Sequence, residues 1–484
     1  MAKQTHDYDL VIVGGGSAGL VAAPAAAALG ARVALVDKER LGGECLWSGC
    51  VPSKSLLASA KAAHQTRQLP TLGLAGQLAP VDLGAVMDRV RGVIGTIERT
   101  EDAAAMRRRS IDVHFGHAAF RSPHELVVDG QALRGRTFLL CTGSHPAVPP
   151  IEGLDGVDYL TNETVFGLRA LPRRLIVAGG APEGAEMAQA FRRLGAAVTV
   201  LAGDDGLLPR EEAAASAALA GVFAREGIVV IRSKLVAVSP EGRDIRARYA
   251  GGGGEGEVRG DRLLLALGRQ PNVAGLELER AGVAYDPDKG IHIDAYLRTS
   301  APHILACGDV TGPYLFTHAA GFQAAAAVRN ALFPLAKGKV RLDPMPWTTF
   351  TDPEVARVGL TEEEARQAHG TVLTLRAGFA HVDRAQADGQ PEGFVTLIVT
   401  LWRGKILGGH IVGPHAGELI QEVTLAMCRG LSVTALAGTI HVYPTLAMAV
   451  QQAALGFYAQ WPLYQRARRP LRALARHGGP RRGD

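Results

Sequence analysis

The stretch YDLVIVGGGSAGLVAAPAAAALGARVALVD, residues 8–37, decides the first part of the fold. Its apolar opening predicts a buried strand, its alanine-rich middle a helix, and ARVALVD a second strand. Gly14, Gly16 and Gly19 stand between the first strand and the helix, and Asp37 follows the motif. In this context Gly16 lets the backbone approach a pyrophosphate, and Asp37 accepts hydrogen bonds from a ribose. The stretch therefore predicts a dinucleotide-binding unit.

The same pattern returns in LPRRLIVAGGAPEGAEMAQAFRRLGAAVTVLA, residues 171–202. A repeated strand–helix–strand pattern predicts a second dinucleotide-binding domain. From about residue 341 the alternating segments FVTLIVTLW and ILGGHIVG favour an antiparallel sheet. The predicted fold is therefore α/β, with two Rossmann-like domains and a C-terminal α+β domain.

The domain boundaries follow from these changes of pattern. We expect the first dinucleotide-binding domain at 1–150, the second at 151–268, a return to the first at 269–340, the C-terminal domain at 341–465, and a basic tail at 466–484. The glycine-rich residues 251–256 are typical of a hairpin loop or a flexible tip.

Composition and charge narrow the class of protein. Hydrophobic residues make up 47% of the 484 residues and charged residues 20%, which are the values of a globular protein. No apolar run reaches the roughly 18 residues of a membrane span, and the first apolar run leads directly into the glycine motif, so we expect a cytoplasmic protein. The net charge of +5 comes from the tail, which has seven arginines and one aspartate. Two interpretations of the tail stay open: weak contact with anionic lipid or an acidic partner, and a solvated segment without a partner. Apart from the positive charge, nothing in the sequence indicates nucleic-acid binding.

The segment GGECLWSGCVPSK, residues 42–54, contains Cys45 and Cys50. A disulfide between them is possible if the segment turns back on itself. Pro52 suits the first turn of a helix, which puts Cys50 at a helix N-terminus where a thiolate is favoured, and Lys54 adds positive charge. A zinc site would need further Cys or His ligands nearby, and two inert buried cysteines are the other alternative.

At this point the sequence resembles the flavoprotein disulfide reductases, a family that includes dihydrolipoamide dehydrogenase, glutathione reductase and mercuric reductase. The resemblance spans about residues 8–460 and rests on further segments in the family's order: CTGSHP (141–146), ALGRQPN (266–272), LRTSAPHILACGDV (297–310), FTHAA (316–320), WTTFTDPEVARVGLTE (347–362) and VDRAQADG (382–389). It implies a homodimer with FAD in the first domain and NAD(P)H in the second. It also implies that Cys50 lies against the flavin as the charge-transfer thiol, that Cys45 exchanges with substrate, and that Lys54 pairs with Glu186 near flavin N5.

The resemblance also implies the residues that line each cofactor. The residues expected at FAD are Gly14, Gly16, Ser17, Ala18, Gly19, Asp37, Lys38, Gly43, Glu44, Cys45, Lys54, Ala118, Thr142, Gly143, Ser144, Gly308, Asp309, His318 and Ala319. Those expected at NAD(P) are Gly179, Ala181, Gly184, Glu186, Val236 and Gly268.

The sequence departs from the family pattern in the second motif. Ala181 replaces the middle glycine, so one methyl group stands where the backbone approaches the phosphates. Glu183 occupies a position that is usually apolar and near the nicotinamide. Ala202 stands where NAD-preferring members have an acid, and the arginines of NADP-preferring members are missing from 203–209. The choice between NADH and NADPH therefore stays open.

A second departure is at IHVYPTLAMA, residues 440–449. Tyr443 occupies the position of the family's acid/base histidine, which reaches in from the partner subunit. A tyrosine with an ordinary pKa near 10 is a poor base at neutral pH, and His441 is the candidate substitute. Mercuric reductase also lacks this histidine, but it delivers metal through a C-terminal cysteine pair, and this sequence has no cysteine after Cys428.

The predicted function is electron transfer between NAD(P)H and a disulfide, a metal ion or another acceptor, through FAD and the Cys45–Cys50 pair. No resident metal ion is expected. One alternative is a flavin dithiol oxidase or quinone-linked enzyme that does not depend on NAD(P)H. The other is an FAD-binding redox sensor.

Overall fold

The computed structural model of the chain describes residues 6–462, and the predicted basic tail at 466–484 lies outside them. The described residues form two compact units. The first unit comprises 6–67, 77–204 and 231–342, and the second comprises 68–76, 205–230 and 343–462. The five-part domain division expected from the sequence stays a prediction.

The order of elements contains both expected strand–helix–strand units. The elements up to residue 201 are β1 (Tyr8–Val13), α1 (Ser17–Ala28), β2 (Val33–Asp37), α2 (Gly43–Trp47), α3 (Cys50–Gln68), α4 (Leu83–Glu101), α5 (Ala103–Arg108), β3 (Ile111–Phe115), β4 (Ala118–Ser122), β5 (Glu125–Val128), β6 (Gln131–Leu140), β7 (Ser144–Pro146), β8 (Tyr159–Leu160), β9 (Arg174–Ala178), α6 (Pro182–Leu194) and β10 (Ala197–Leu201).

The elements that follow are mainly short strands up to residue 306 and a mixture of helices and strands after it. They are α7 (Ala213–Glu226), β11 (Val229–Ile231), β12 (Lys234–Glu241), β13 (Asp244–Ala250), β14 (Gly256–Gly260), β15 (Arg262–Leu265), β16 (Arg269–Pro271), β17 (Tyr285–Asp286), β18 (Gly290–Ile291), β19 (Ile304–Ala306), α8 (Thr317–Leu332), β20 (Pro346–Thr349), β21 (Glu354–Gly359), α9 (Glu362–His369), β22 (Val372–Gly378), α10 (Asp383–Ala387), β23 (Phe394–Thr400), β24 (Ile406–Gly413), α11 (Ala416–Cys428), α12 (Val433–Gly438) and α13 (Met448–Gln460).

The first sheet has seven strands, in the order β3-β2-β1-β6-β5-β4, with β19 also paired to β6. The strands β3, β2, β1, β6 and β19 are parallel. Successive side chains of β1 enter the hydrophobic cores on opposite faces, so that Leu10 and Ile12 contact one core and Val11 and Val13 the other. A parallel strand covered on both faces is uniformly apolar, which explains the run LVIV.

The second sheet has five strands in the order β11-β10-β9-β15-β8. Its core includes Ile176, Ala178 and Leu263. A separate antiparallel sheet, β12-β13-β14, follows, and the glycine-rich segment forms the hairpin loop between β13 and β14, as predicted.

The C-terminal sheet has the order β20-β21-β24-β23-β22, and every neighbouring pair is antiparallel. Apolar residues of this sheet and of α11 and α13 share one core, which includes Leu397, Ile411, Ile420 and Phe457. The predicted antiparallel C-terminal domain is therefore present, within the second unit.

Candidate active site

Three loops of the first unit meet at the carboxyl ends of parallel strands. β1 is followed by Gly14, β6 by Cys141 and Thr142, and β19 by Cys307 and Gly308. Because these strands are neighbours in register, their last residues lie at one edge of the sheet. In open α/β sheets, ligands bind outside the carboxyl ends of the strands.

The first glycine motif leaves no room for side chains at its first and third positions. A Cβ on Gly14 would lie 2.2 Å from the carbonyl oxygen of Cys141, and one on Gly19 would lie 1.9 Å from that of Gly14. Gly16 differs, because its nearest neighbour would be Gly43 Cα at 3.5 Å. The middle glycine is therefore not required by packing within the chain, and its open side suits a bound pyrophosphate.

The second motif repeats this arrangement. A Cβ on Gly179 would lie 2.1 Å from the oxygen of Ala266, and one on Gly184 would lie 2.1 Å from that of Gly179. Ala181 stands at the N-cap of α6 with its side chain exposed, so the fold tolerates the extra methyl group. Any cost of this alanine therefore falls on the bound nucleotide.

Asp37 holds the first loop closed. Its carboxylate accepts a hydrogen bond from the amide of Gly15 at 2.7 Å and further ones from Glu39 and Arg40 at 3.0 and 3.2 Å. Each carboxylate oxygen has more than one acceptor position, so these bonds are compatible with a ribose hydroxyl as an additional donor.

Arg269 links several of the expected cofactor residues, although it was not among the residues predicted at the cofactors. Its guanidinium pairs with both oxygens of Glu44, and its Nε donates to Ser144 Oγ at 2.9 Å. Ser144 in turn donates to Asp309 at 2.7 Å. The motif ALGRQPN contained the signal, since it places an arginine directly after the glycine at 268.

A cavity of about 710 Å³ adjoins this network. Ser144, Arg269, Asp309, Lys289 and Gln323 contribute polar groups to its wall. Its volume lies in the range of small-molecule and cofactor pockets.

The thiol pair lies on two consecutive helices. Cys45 is in the short α2, and Cys50 is the first residue of α3. Cys50 Sγ lies 3.4 Å from Thr317 Oγ1, at the start of α8, and the hydroxyls of Ser17 and Thr317 also reach Cys45. Both thiols are free in this structure, with Cys50 exposed and Cys45 partly buried.

The surroundings of the two thiols give them different pKa values. The hydrogen bond from Cys45 lowers the pKa of Cys50 to about 6, with further help from Thr317 and Lys54, although the loss of water around the thiolate to neighbouring protein atoms opposes the shift. The same hydrogen bond, together with burial, raises the pKa of Cys45 far above its usual value. At neutral pH, Cys50 is therefore a thiolate and Cys45 a thiol.

Alkylation of the reduced, flavin-free protein tests this separation. We expect the rate of modification of Cys50 by iodoacetamide to rise with pH through about 6 and to level off by neutral pH, because only the thiolate reacts. Peptide mapping after timed quenching measures this rate. A midpoint at or above that of an ordinary cysteine, near 8.5, contradicts the assignment.

An ion pair lies close to the thiols. Lys54, one turn along α3 from Cys50, contacts Glu186 of α6 with Nζ and Oε2 2.9 Å apart. The Glu186 side chain is only 5% exposed. The structure thus brings together Cys45, Cys50, Lys54 and Glu186, which the sequence analysis had grouped as one site.

The other two cysteines of the first unit, Cys141 and Cys307, contact each other. Cys141 and Cys307 follow neighbouring parallel strands, and their sulfurs lie 3.6 Å apart in the core. Burial raises the pKa of Cys141, which keeps its thiol protonated. Among the described residues, no group of three or more His, Cys, Asp or Glu side chains is arranged to hold a metal ion.

Two family models match this chain. The pyridine nucleotide-disulphide oxidoreductase model matches residues 8–328, and the dimerisation domain of the same family matches residues 345–454. The chain belongs to the pyridine nucleotide-disulphide oxidoreductase family. The predicted resemblance and the predicted fold class are confirmed, and the protein is an FAD-dependent oxidoreductase of this family, whose members use NAD(P)H.

Similar proteins include several named oxidoreductases. The mercuric reductase of Streptomyces lividans is 38% identical over 94% of this chain and 97% of its own length. The dihydrolipoyl dehydrogenase of Thermus scotoductus is 36% identical over 94% and 98%. Among solved structures, a Cu(II) complex of the HOCl-induced flavoprotein disulfide reductase RclA from Escherichia coli has a TM-score of 0.83 at 27% identity, over 93% of this chain and 99% of that one. LpdA from Mycobacterium tuberculosis has a TM-score of 0.84 at 30% identity, over 92% and 99%.

The site fits the family's FAD. The sterically restricted glycines, the open side of Gly16 and Asp37 lie at the edge of the first sheet where this oxidoreductase would hold a dinucleotide, and Asp309, three residues after β19, lines the cavity. Ser17 and Ala18 begin α1, and His318 and Ala319 lie in the first turn of α8, which starts beside Cys50. Thr142 and Gly143 are fixed by hydrogen bonds with Asn272. Lys38 is exposed after β2, and Ala118 begins β4.

The remaining expected nucleotide residues lie on the second sheet or near it. Val236 is in β12 with its side chain exposed, and Gly268 follows β15 with a positive φ of 114°. Their roles at the nucleotide stay predictions.

The candidate acid/base residues lie in the second unit. Tyr443 is exposed and donates its hydroxyl hydrogen bond to Asp383 at 2.8 Å. His441 Nε2 lies 2.9 Å from Glu422 Oε1, and its Nδ1 lies 3.0 Å from the carbonyl oxygen of Thr439. Glu422 could not be predicted from the sequence, because its partner His441 is 19 residues away, beyond α12, and only the fold joins them.

No helix within residues 6–462 is long and apolar enough to span a membrane.

Proposed function

We propose that this oxidoreductase passes an electron pair from NAD(P)H to a thiophilic acceptor, either a disulfide or a soft metal ion, that meets Cys45. The observation that carries the proposal is the unequal thiol pair, with a thiolate at Cys50 and a protonated Cys45. When bound, FAD supplies hydride acceptance from NAD(P)H and transfer of the electron pair to the Cys45–Cys50 disulfide.

The chain's own residues account for the remaining chemistry. Two electrons and one proton open the disulfide and leave Cys50 as the thiolate and Cys45 as the thiol. Lys54 favours the negative charge on Cys50, and Glu186 holds Lys54 in place. Cys45 must lose its proton before it attacks an acceptor, so a base is required at that step.

His441 is the candidate for this base. Its Nε2 and Nδ1 both face acceptors, Glu422 Oε1 and the carbonyl oxygen of Thr439, and its side chain is only 6% exposed, so one of these hydrogen bonds must open before the ring can take up a proton. Tyr443 is unsuited, because its hydrogen bond to Asp383 raises the pKa of its hydroxyl. We assign Tyr443 the role of a neutral hydrogen-bond donor.

A homodimer brings His441 to the thiols of the partner copy in this proposal. The dimerisation-domain match supports it, as do the flanking side chains Ile440 and Val442, which are 96% and 76% exposed. Apolar side chains exposed to this extent favour burial against another surface. A reducing compartment such as the cytoplasm suits the exposed thiols.

The names of related proteins support the range of acceptors. Relatives are named for mercuric ion and for dihydrolipoyl groups, and a solved relative is a Cu(II) complex. A soft metal ion binds thiolate ligands well, which suits a site with a thiolate at neutral pH.

Anaerobic titration of the purified FAD protein with NADH and with NADPH tests the proposal. We expect at least one nucleotide to bleach the flavin and to produce the long-wavelength absorbance of a thiolate beside it. Lipoamide, glutathione disulfide, Hg²⁺, Cu²⁺ and quinones, added in turn, then identify the acceptor by reoxidation.

Two outcomes of this titration would favour a different function. If both nucleotides fail while a dithiol reduces the flavin, the protein is a dithiol oxidase or a quinone-linked enzyme. If neither class of donor works, a redox sensor is the better description.

A further inference from the structure

Asn162 contacts the thiol segment, residues 42–54, on both sides of Cys45. Its side chain is 5% exposed, and its amide nitrogen donates one hydrogen bond to Glu44 Oε1 and another, at 3.3 Å, to the carbonyl oxygen of Ser48. Glu44 directly precedes Cys45 in α2, and Ser48 is the C-cap of that helix. One side chain from a distant part of the chain therefore binds both ends of the helix that carries Cys45.

The position of Asn162 is itself fixed by a turn that follows β8. In this turn the amide of Thr161 donates to Thr164 Oγ1 at 3.0 Å, and the amide of Thr164 donates to the carbonyl oxygen of Thr161 at 3.1 Å. Within residues 6–462, the Oδ1 atom of Asn162 is buried and has no hydrogen-bond partner. Because a buried amide oxygen of this kind lowers the stability of the fold, the two donated hydrogen bonds are the contribution that the side chain makes.

The chain between the two redox cysteines has little stability of its own. α2 has only five residues, and so short a helix does not persist without contacts from elsewhere. After α2 the chain turns back closely, since a Cβ on Gly49 would lie 3.1 Å from the carbonyl oxygen of Glu44 and 3.3 Å from Cys45 Cα. Arg269 also binds Glu44, with its Nη1 2.6 Å from the same Oε1 atom. The geometry of the cysteine pair thus depends on hydrogen bonds from distant segments.

We propose that Asn162 is a positioning residue that sets the equilibrium between the disulfide and dithiol forms of Cys45 and Cys50. The inference rests on the proposed function, in which this pair takes up the electron pair and passes it on. Hydrogen bonds on both sides of Cys45 restrict the motion of its thiol. This restriction raises the effective concentration of the thiol at Cys50 and therefore favours the disulfide.

The redox equilibrium of the FAD protein in buffers of reduced and oxidised dithiothreitol at pH 7 measures the effect. In the oxidation the bond between Cys45 and Cys50 forms, and the ring disulfide of oxidised dithiothreitol breaks and takes up the electron pair. Its two new thiols take their protons from Cys45 and from the solvent. Acid quenching, alkylation of free thiols and mass spectrometry of the peptide that contains both cysteines give the fraction of disulfide at each ratio.

Asn162→Ala is expected to shift this equilibrium towards the dithiol. The equilibrium constant for disulfide formation should fall roughly ten-fold, which corresponds to a reduction potential about 30 mV less negative. Asn162→Leu fills the space without a donor or a buried amide oxygen, so it should remain folded and shift the equilibrium to a similar extent.

Asn330→Ala is the matched control. Asn330 is 2% exposed, and its amide nitrogen also donates to two backbone carbonyl oxygens, those of Tyr296 at 2.9 Å and Gly338 at 3.0 Å. Its replacement removes the same kind of buried hydrogen bonds at a place outside the thiol segment. We therefore expect a loss of stability in chemical denaturation but the wild-type thiol equilibrium.

The outcomes separate this inference from the proposed function. A wild-type equilibrium constant in Asn162→Ala and Asn162→Leu overturns the role of Asn162 alone. An equal shift in Asn330→Ala does so too, because the effect would then come from a general loss of stability. The measurement uses no NAD(P)H, so it does not depend on the nucleotide titration. A wild-type protein in which Cys45 and Cys50 form no disulfide at any ratio overturns the proposed function, and the role of Asn162 falls with it.

Discussion

Replacement of Cys50 by serine is expected to lower the turnover of disulfide acceptors by roughly a thousand-fold or more. The variant cannot form the Cys45–Cys50 disulfide, so the electron pair has no thiol pair to enter. Reduction of the flavin by NAD(P)H should persist, because the glycine motifs and Lys54 are unchanged. Steady-state turnover and anaerobic reduction of the same preparation measure the two steps separately.

Cys45→Ser distinguishes the two thiols. It should lose turnover to a similar extent, but it keeps Cys50, and the oxidised variant should show the long-wavelength absorbance of a thiolate beside the flavin without added reductant. The pKa of Cys50 should rise in this variant, because the hydrogen bond from Cys45 is the largest cause of its low value. Cys428→Ser is the control, since Cys428 is exposed in the second unit. Full turnover in either Cys45→Ser or Cys50→Ser would refute the assigned chemistry.

Replacement of Lys54 by methionine is the second substitution with a large expected effect. It removes the lysine that forms the ion pair with Glu186, whose side chain is only 5% exposed. Loss of one partner of a buried pair costs about 3–5 kcal/mol, and since Lys54 itself is 38% exposed we expect the free energy of unfolding to fall by about 2 kcal/mol. Turnover should fall by roughly a hundred-fold, as for the loss of a preorganised charge at a reacting centre.

The double variant Lys54→Met, Glu186→Gln separates stability from catalysis. It also removes the buried carboxylate charge that lost its lysine, so most of the lost stability should return while the turnover stays low. Chemical denaturation of flavin-free protein and steady-state assays measure the two quantities. A Lys54→Met variant that is as stable and as active as the wild type would mean that the pair is a surface contact without a role.

The fold was predictable in its broad features because strong local patterns specify it. The run LVIV of β1 and the two glycine motifs predict strands and turns from the sequence alone, since buried parallel strands are apolar and the first and third glycines have no room for a side chain. The assignment of residues 205–230 to the second unit was not predictable. It depends on contacts between segments far apart in the chain, such as the hydrogen bond from Trp347 to Glu211.

The residues of the site likewise divide into those that the local sequence predicts and those that depend on contacts distant in the chain. Cys45, Cys50 and Lys54 belong to one short segment, and a helix N-terminus at Cys50 follows from Pro52 and the residues around it. Arg269 and Glu422 were missed, because their partners are 225 and 19 residues away, respectively, in the sequence. No local periodicity records contacts of this kind.

The sequence by itself determined which chemical groups this protein has: two glycine motifs, two close cysteines and a lysine four residues beyond the second cysteine. Only the tertiary structure decided how those groups behave, since it gives Cys50 a pKa of about 6 and Glu183 a pKa of about 7. The physical reason is that acidity depends on burial, on hydrogen bonds and on charges within a few ångströms. These neighbours come from helices α1, α2, α3, α6 and α8, which only folding brings together.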